Sequence, residues 1–224
     1  MTVDALGARI VPFGDGAILV ELGETVEVRL ARRAQALAVA VTMLRASEPR
    51  LGAPVPGAAS VLVPFDPLDL TPDDAADLLR PLLAALPEDP ERPMGAREIE
   101  IRVEYGGRAG PDLDAIAAET GLTPEEVVRL HAGTPYEVLF IGFAPGFAYL
   151  GEVPAEIAVP RLATPRTHVP AGSVGIAGRQ TGVYPQASAG GWRILGHARD
   201  TLFDPSASDP VRLRAGDRVR FVPR

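Results

Sequence analysis

The chain has 224 residues, enough for one large domain or two small ones with a substantial buried core. All 22 of its Lys+Arg positions are Arg, and Lys, Cys and Asn are absent. This excludes Schiff-base chemistry, a lysine-bearing phosphate loop, thiol nucleophiles, thiolate metal sites, iron–sulfur clusters and disulfides. A formal charge of −7 and an isoelectric point near 5.0 argue against nucleic acid or an anionic membrane as partner.

Residues 1–16 carry acids and glycines where a secretory signal would place a basic end and an apolar run. No stretch reaches roughly 18 consecutive apolar residues, so a cytoplasmic location is expected. Residues 17–21 read as a strand after the Gly14-Asp15-Gly16 turn. Residues 25–46 read as a helix, with Leu30, Ala34, Leu37, Val41 and Leu44 on one face. Residues 61–65 read as a buried strand. Thr71 and Pro72 supply an N-cap and first-turn proline for a helix whose stripe is Leu78, Leu79, Leu82, Leu83 and Leu86. Three prolines within residues 86–94 then break every periodic pattern. The expected organisation is a small N-terminal α+β domain over residues 1–87, a linker over 88–95 and a second domain over 96–224.

In the second domain Ile99, Ile101, Val103 and Tyr105 alternate with charged residues as in a half-buried strand. Residues 112–120 and 123–130 read as short helices, the second with a Thr123/Glu126 capping box and Pro124 at its first position. Strand-like runs follow at residues 137–141, 174–177, 192–195, 211–213 and 218–222, separated by Gly and Pro. This spacing suits a β-barrel or sandwich, so the fold class is α+β.

Residues 157–199 contain five Arg (161, 166, 179, 193 and 199), His168 and His197, and no acid. Arg forks bind carboxylate and phosphate, so an anion site is expected in this stretch, unless acids of other segments pair these arginines. Glycines 172, 175, 178 and 182 either bring backbone N–H groups to a ligand or mark tight barrel bends, and composition favours the bends. Ser173 lies in Ala-Gly-Ser-Val-Gly, which is not a nucleophile elbow because no acid lies between it and His197. Residues 141–150 carry Phe143, Phe147 and Tyr149 in a Gly/Pro frame that cannot be helical. This segment is expected as a loop that folds on the core or lines a pocket or partner interface. His131 falls at a helix C-terminus, where the dipole favours a cation; a general base is the alternative. The three His show no metal-ligand spacing, so no metal site is expected.

These motifs resemble a family of small subunits that includes PxpB of the bacterial 5-oxoprolinases, allophanate hydrolase subunit 1 and the sporulation kinase inhibitor KipI. The same region is similar to subdomains C and D of the urea carboxylase carboxyltransferase domain. The matching residues are Gly14-Asp15 with Ala17, Phe65-Asp66-Pro67, His131, Tyr136, Gly142-Phe143-Ala144-Pro145-Gly146-Phe147 and Tyr149-Leu150. They continue with Pro160-Arg161, Pro165-Arg166, Val169 to Val174, Ile176-Ala177-Gly178, Gln180-Thr181-Gly182, Tyr184-Pro185, Gly190-Gly191-Trp192, Phe203-Asp204 and Gly216-Asp217. Ala189 and His197 depart from the pattern, where Pro and Arg are expected.

The resemblance implies an N-terminal α+β domain followed by a cyclophilin-like β-barrel. It implies action with a larger partner of the KipA/PxpC type, and a third of the PxpA type, in ATP-dependent opening of 5-oxo-L-proline to L-glutamate. ATP would be shared with the partner and magnesium would enter with the nucleotide; the chain alone would be inactive. Arg161 and Arg166 are then expected to clamp phosphate or substrate carboxylate, with Arg193 nearby and with Gly172, Gly175, Gly178 and Ser173 approaching the same anion. Gln180, Thr181 and Tyr184 would orient the ligand, and Phe143, Pro145, Phe147, Tyr149 and Trp192 would wall the pocket or meet the partner. His131, Arg166 and Ser173 stand as the catalytic candidates. A kinase-binding module and an allophanate- or urea-directed enzyme subunit are the alternatives, and a stand-alone prolyl isomerase would rest on fold alone.

Overall fold

The computed structural model describes residues 7–224 and forms two compact units, one ending at Gly95 and one beginning at Ala96. Residues 1–6, the first part of the stretch read above for a signal, lie outside the described residues. In the first unit β1 (Arg9–Pro12), β2 (Ala17–Glu21), β3 (Val55–Pro56) and β4 (Ser60–Pro64) form an antiparallel sheet of order β1-β2-β4-β3. Ile18, Val20, Val61 and Val63 are buried from alternate positions of β2 and β4. They share a core with Leu30, Leu37 and Val41 of α1 (Val28–Leu44) and Leu79 and Leu83 of α2 (Pro72–Ala84). Thr71 caps α2 in a reciprocal box with Asp74. The first helix starts three residues later than its periodicity suggests, because Glu27 is extended and its side chain makes no capping bond.

In the second unit a closed barrel runs β10-β7-β6-β13-β5-β12-β9. Its strands are β5 (Glu98–Tyr105), β6 (Tyr136–Ile141), β7 (Ala148–Gly151), β9 (Ser173–Ala177), β10 (Gln180–Val183), β12 (Arg193–Ala198) and β13 (Arg218–Pro223). All pairs are antiparallel except β5 with β13. A separate ribbon joins β8 (Arg166–Val169) to β11 (Ser188–Gly190). Helices α3 (Leu113–Thr120) and α4 (Pro124–Gly133) bury Ile116, Ala117 and Val127 in the barrel core. The Thr123/Glu126 box and Pro124 begin α4.

The α+β class with a barrel agrees with the sequence expectation, and two local expectations need correction. Residues 211–213 are not a strand; Val211 makes only an isolated bridge to Phe203, within a turn-rich segment. Residues 141–150 are not loop throughout, because Ala148–Gly151 pairs with both β6 and β10.

Candidate functional site

The loop between β6 and β7 is closed by three backbone hydrogen bonds. Gly142 N donates to Phe147 O (3.1 Å), Ala144 N to Gly142 O (2.8 Å) and Phe147 N to Ala144 O (3.0 Å). This turns Phe147 inward, where it is 2% exposed and meets Tyr149, Tyr184 and Trp192 edge-on at centroid distances of 4.9, 5.3 and 5.5 Å. With Val169, Ala177 and Ile194 these rings form a small apolar cluster of their own. Its outer side is a pocket of about 70 Å³ lined by Phe143, Phe147, Tyr149, Arg161, Tyr184, Trp192 and the backbone of residues 189–191. Gly190 is required there, since a Cβ at that position would run into the Tyr184 hydroxyl.

Arg161 brings the charge to this pocket. Its segment is tied down by Leu162 N donating to Gly191 O (2.8 Å), and its Cβ lies near Gly191. Burial raises the pKa of Tyr149 and of Tyr184, and the Arg161 charge opposes both shifts. An exposed guanidinium beside aromatic walls suits a small, flat anion.

The other four arginines of the acid-free stretch are held by acids from other segments. Arg166 pairs with Asp112 at 2.7 Å, Arg179 with Glu152 at 2.7 Å, Arg193 with Glu119 at 2.8 Å, and Arg199 loosely with Glu104 at 3.9 Å. The expected Arg161–Arg166 clamp with Arg193 nearby is corrected in two of its members, since Arg166 and Arg193 are committed to acids, and Arg161 makes no ion pair among the described residues. Asp112 was not singled out from the sequence, yet its carboxylate accepts from Arg166 Nη2 and, at 2.6 Å, from Ile194 N. It joins β8 to β12, and the Nη1 of Arg166 stays buried without a partner.

The expected glycine cradle is also corrected. Ser173–Ala177 is a wholly buried strand paired on both sides, Gly172 N donates to Tyr184 O (2.7 Å) and Gly178 N to Val159 O (2.7 Å). Those N–H groups are spent on the barrel. Gly175 is a close-packing position, where a Cβ would come within 3.1 Å of Trp192 Cβ. Ser173, 3% exposed, is not a reachable nucleophile. Gln180 lies in β10 opposite Ala177 and Gly151, away from the residues lining the pocket, and Pro145 is exposed in the β6–β7 loop.

His131 departs furthest from the expectation. It is fully buried, with Tyr105 Oη 2.8 Å from Nδ1 and Thr181 Oγ1 2.9 Å from Nε2. Thr181 has one hydroxyl proton and donates it to Gly175 O at 3.0 Å. Nε2–H of His131 therefore donates to Thr181, and Nδ1 accepts from the Tyr105 hydroxyl. The ring also stacks on Phe221 at 4.7 Å. Burial lowers its pKa to about 3, so it is neither a helix-terminal cation nor a solvent-accessible general base. Thr181 is likewise occupied in this chain and has no exposure for a ligand.

Among the described residues no group of three or more His, Asp or Glu could hold a metal ion, and no helix is long and apolar enough to cross a membrane.

Residues 8–213 match the family model described as carboxyltransferase domain, subdomain C and D. The chain is 43% identical over 218 residues to the B-type subunit of 5-oxoprolinase from Escherichia coli O157:H7, covering 97% of this chain and 96% of the relative. The crystal structure of TTHA0988 superimposes with a TM-score of 0.79 at 39% identity, over 93% of this chain but only 39% of that one. Kluyveromyces lactis urea carboxylase shares the fold, with a TM-score of 0.77 at 18% identity, over 97% of this chain and 22% of that one. The chain thus spans well under half of either of these two longer proteins.

Proposed function

The chain belongs to the family of carboxyltransferase domains, subdomain C and D, and from that membership we propose that it is the small subunit of an ATP-dependent 5-oxoprolinase complex. With a larger subunit, and a third for full turnover, it would open 5-oxo-L-proline to L-glutamate. The observation that carries this reading is the 43% identity to the B-type subunit of a 5-oxoprolinase over nearly the whole length of both chains. That relative's name favours it over a kinase-binding module, an allophanate- or urea-directed subunit or a prolyl isomerase.

The pocket supports the same reading. 5-Oxoproline is a flat lactam with one carboxylate, and Arg161 offers one uncommitted guanidinium beside the rings of Phe147, Tyr149, Tyr184 and Trp192. Arg161 anchors the carboxylate and the aromatic walls exclude water from the ring. ATP does not fit here. Pockets for drug-sized ligands begin near about 300 Å³, against about 70 Å³ here, and Arg166, Arg179 and Arg193 of the same stretch are already paired. The nucleotide and its magnesium would then sit outside this pocket, shared with the larger subunit, and the isolated chain would be inactive.

The test is to co-express the chain with its larger partner and measure ADP release with a panel of lactams. The isolated chain should release none, and the assembled complex should do so on 5-oxoproline. Assembled complex that releases no ADP with this substrate refutes the proposal.

A further inference from the structure

The mouth of the pocket holds a residue in an unfavourable backbone conformation. Phe143 has φ +70°, in the left-handed region where a bulky L side chain is an outlier. The hydrogen bonds of the β6–β7 loop keep it there, with Gly146 at φ +77° completing the turn. The result is exposure: the residue is 64% accessible, and its ring touches Phe147 edge-on, at 5.5 Å between centroids and 77° between planes. It also lines the pocket, beside Arg161. Neither the fold's core nor its hydrogen bonding gains from an apolar ring placed in water by strained backbone. Such a ring is retained for contact with something outside the core.

We infer that Phe143 is a specificity-determining residue, whose ring closes the outer side of the Arg161 pocket and fits it to a five-membered ring bearing one carboxylate. The identity of that ligand rests on the 5-oxoprolinase reading, whereas the fit of a small cyclic carboxylate rests on the pocket. Arg161 fixes the carboxylate, Phe147 forms the inner wall, and Phe143 limits the width left for the ring. A six-membered lactam carboxylate is wider, and on this inference its extra methylene is the group that Phe143 keeps out.

Two variants separate the ring from the strain, since Phe143→Ala and Phe143→Gly both delete the ring while only glycine relaxes at positive φ. In the assembled complex both should raise KM for 5-oxoproline about fivefold, in the range that one aromatic contact supplies. Both should also shift the kcat/KM preference towards the six-membered lactam, which a purely structural role would not do. The same ligands are titrated against the isolated chain by fluorescence of Trp192, the one tryptophan, which lies in the pocket. 5-Oxoproline should change the emission, ATP should not, and both variants should weaken the response by a similar factor.

Unchanged KM and preference overturn the inference. So does a defect that Phe143→Gly repairs, or a loss of subunit assembly in both variants, which would make Phe143 a partner contact. If the wild-type complex turns over no ATP while Trp192 still reports the lactam and both variants weaken it, the 5-oxoprolinase reading fails and the pocket inference stands. No lactam binding in either format overturns it.

Discussion

Acidifying the protein from pH 7 to pH 5 should destabilise the barrel unit through His131. The ring is buried without any carboxylate hydrogen-bonded to it, its partners being Tyr105 and Thr181. A proton on Nδ1 would displace the hydrogen bond donated by Tyr105 and place a charge in the core. The folded pKa is about 3 against an ordinary 6.5, so the unfolded chain takes up the proton first. Stability is complete above the unfolded value and is lost as pH falls from 6.5 towards 3. Between pH 7 and pH 5 the loss is about 2 kcal/mol, which moves a urea midpoint by about 1 M. Asp217, Asp74, Asp204 and Glu126 have lowered pKa values and add their own losses only below their ordinary 3.8 to 4.5, outside this window. Urea titrations at pH 7 and pH 5, followed by Trp192 emission, measure the shift. His131→Phe keeps the ring stack on Phe221 and removes the titrating group; it should be weaker at pH 7 but lose most of the pH dependence. An unchanged wild-type midpoint, or an equal shift in the variant, would refute the reasoning.

Replacing Arg161 with Ala should raise KM for 5-oxoproline in the complex by about tenfold to a hundredfold, the worth of one charged hydrogen bond, and a smaller change would remove Arg161 as the anchor. Asp112→Ala strands Arg166 and frees Ile194 N, so chemical unfolding should show a loss of about 3 kcal/mol; under about 1 kcal/mol would mean that Asp112 does not join the two strands. Gly190→Ala should displace the Tyr184 ring, visible as altered Trp192 emission and weaker lactam binding, and a wild-type spectrum with wild-type affinity would contradict the packing described.

Elements with local signals are legible in the sequence. Thr71 with Pro72, and Thr123 with Pro124 and Glu126, announce α2 and α4 because a cap and its partner lie within one turn. The alternation of Ile99, Ile101, Val103 and Tyr105 marks β5 for the same reason. The strands β7 and β10 are hidden, since glycine or aromatic residues interrupt them and three of the four residues of each are buried, which leaves no alternating pattern. The aromatic segment is recognisable as something that must fold inward or line a pocket. His131 is misread because its burial depends on Tyr105, Thr181 and Phe221, 26, 50 and 90 residues away along the chain.

Composition alone settles that an anion can meet no lysine in this protein, so any permanently charged side chain that meets it is an arginine. Which arginine is available is a matter of tertiary structure. Asp112 reaches Arg166 across 54 residues and Glu119 reaches Arg193 across 74, and only the closed barrel and its helices bring those charges together. Arg161, on the irregular segment before β8, is left facing the aromatic pocket, since no carboxylate among the described residues is folded against it.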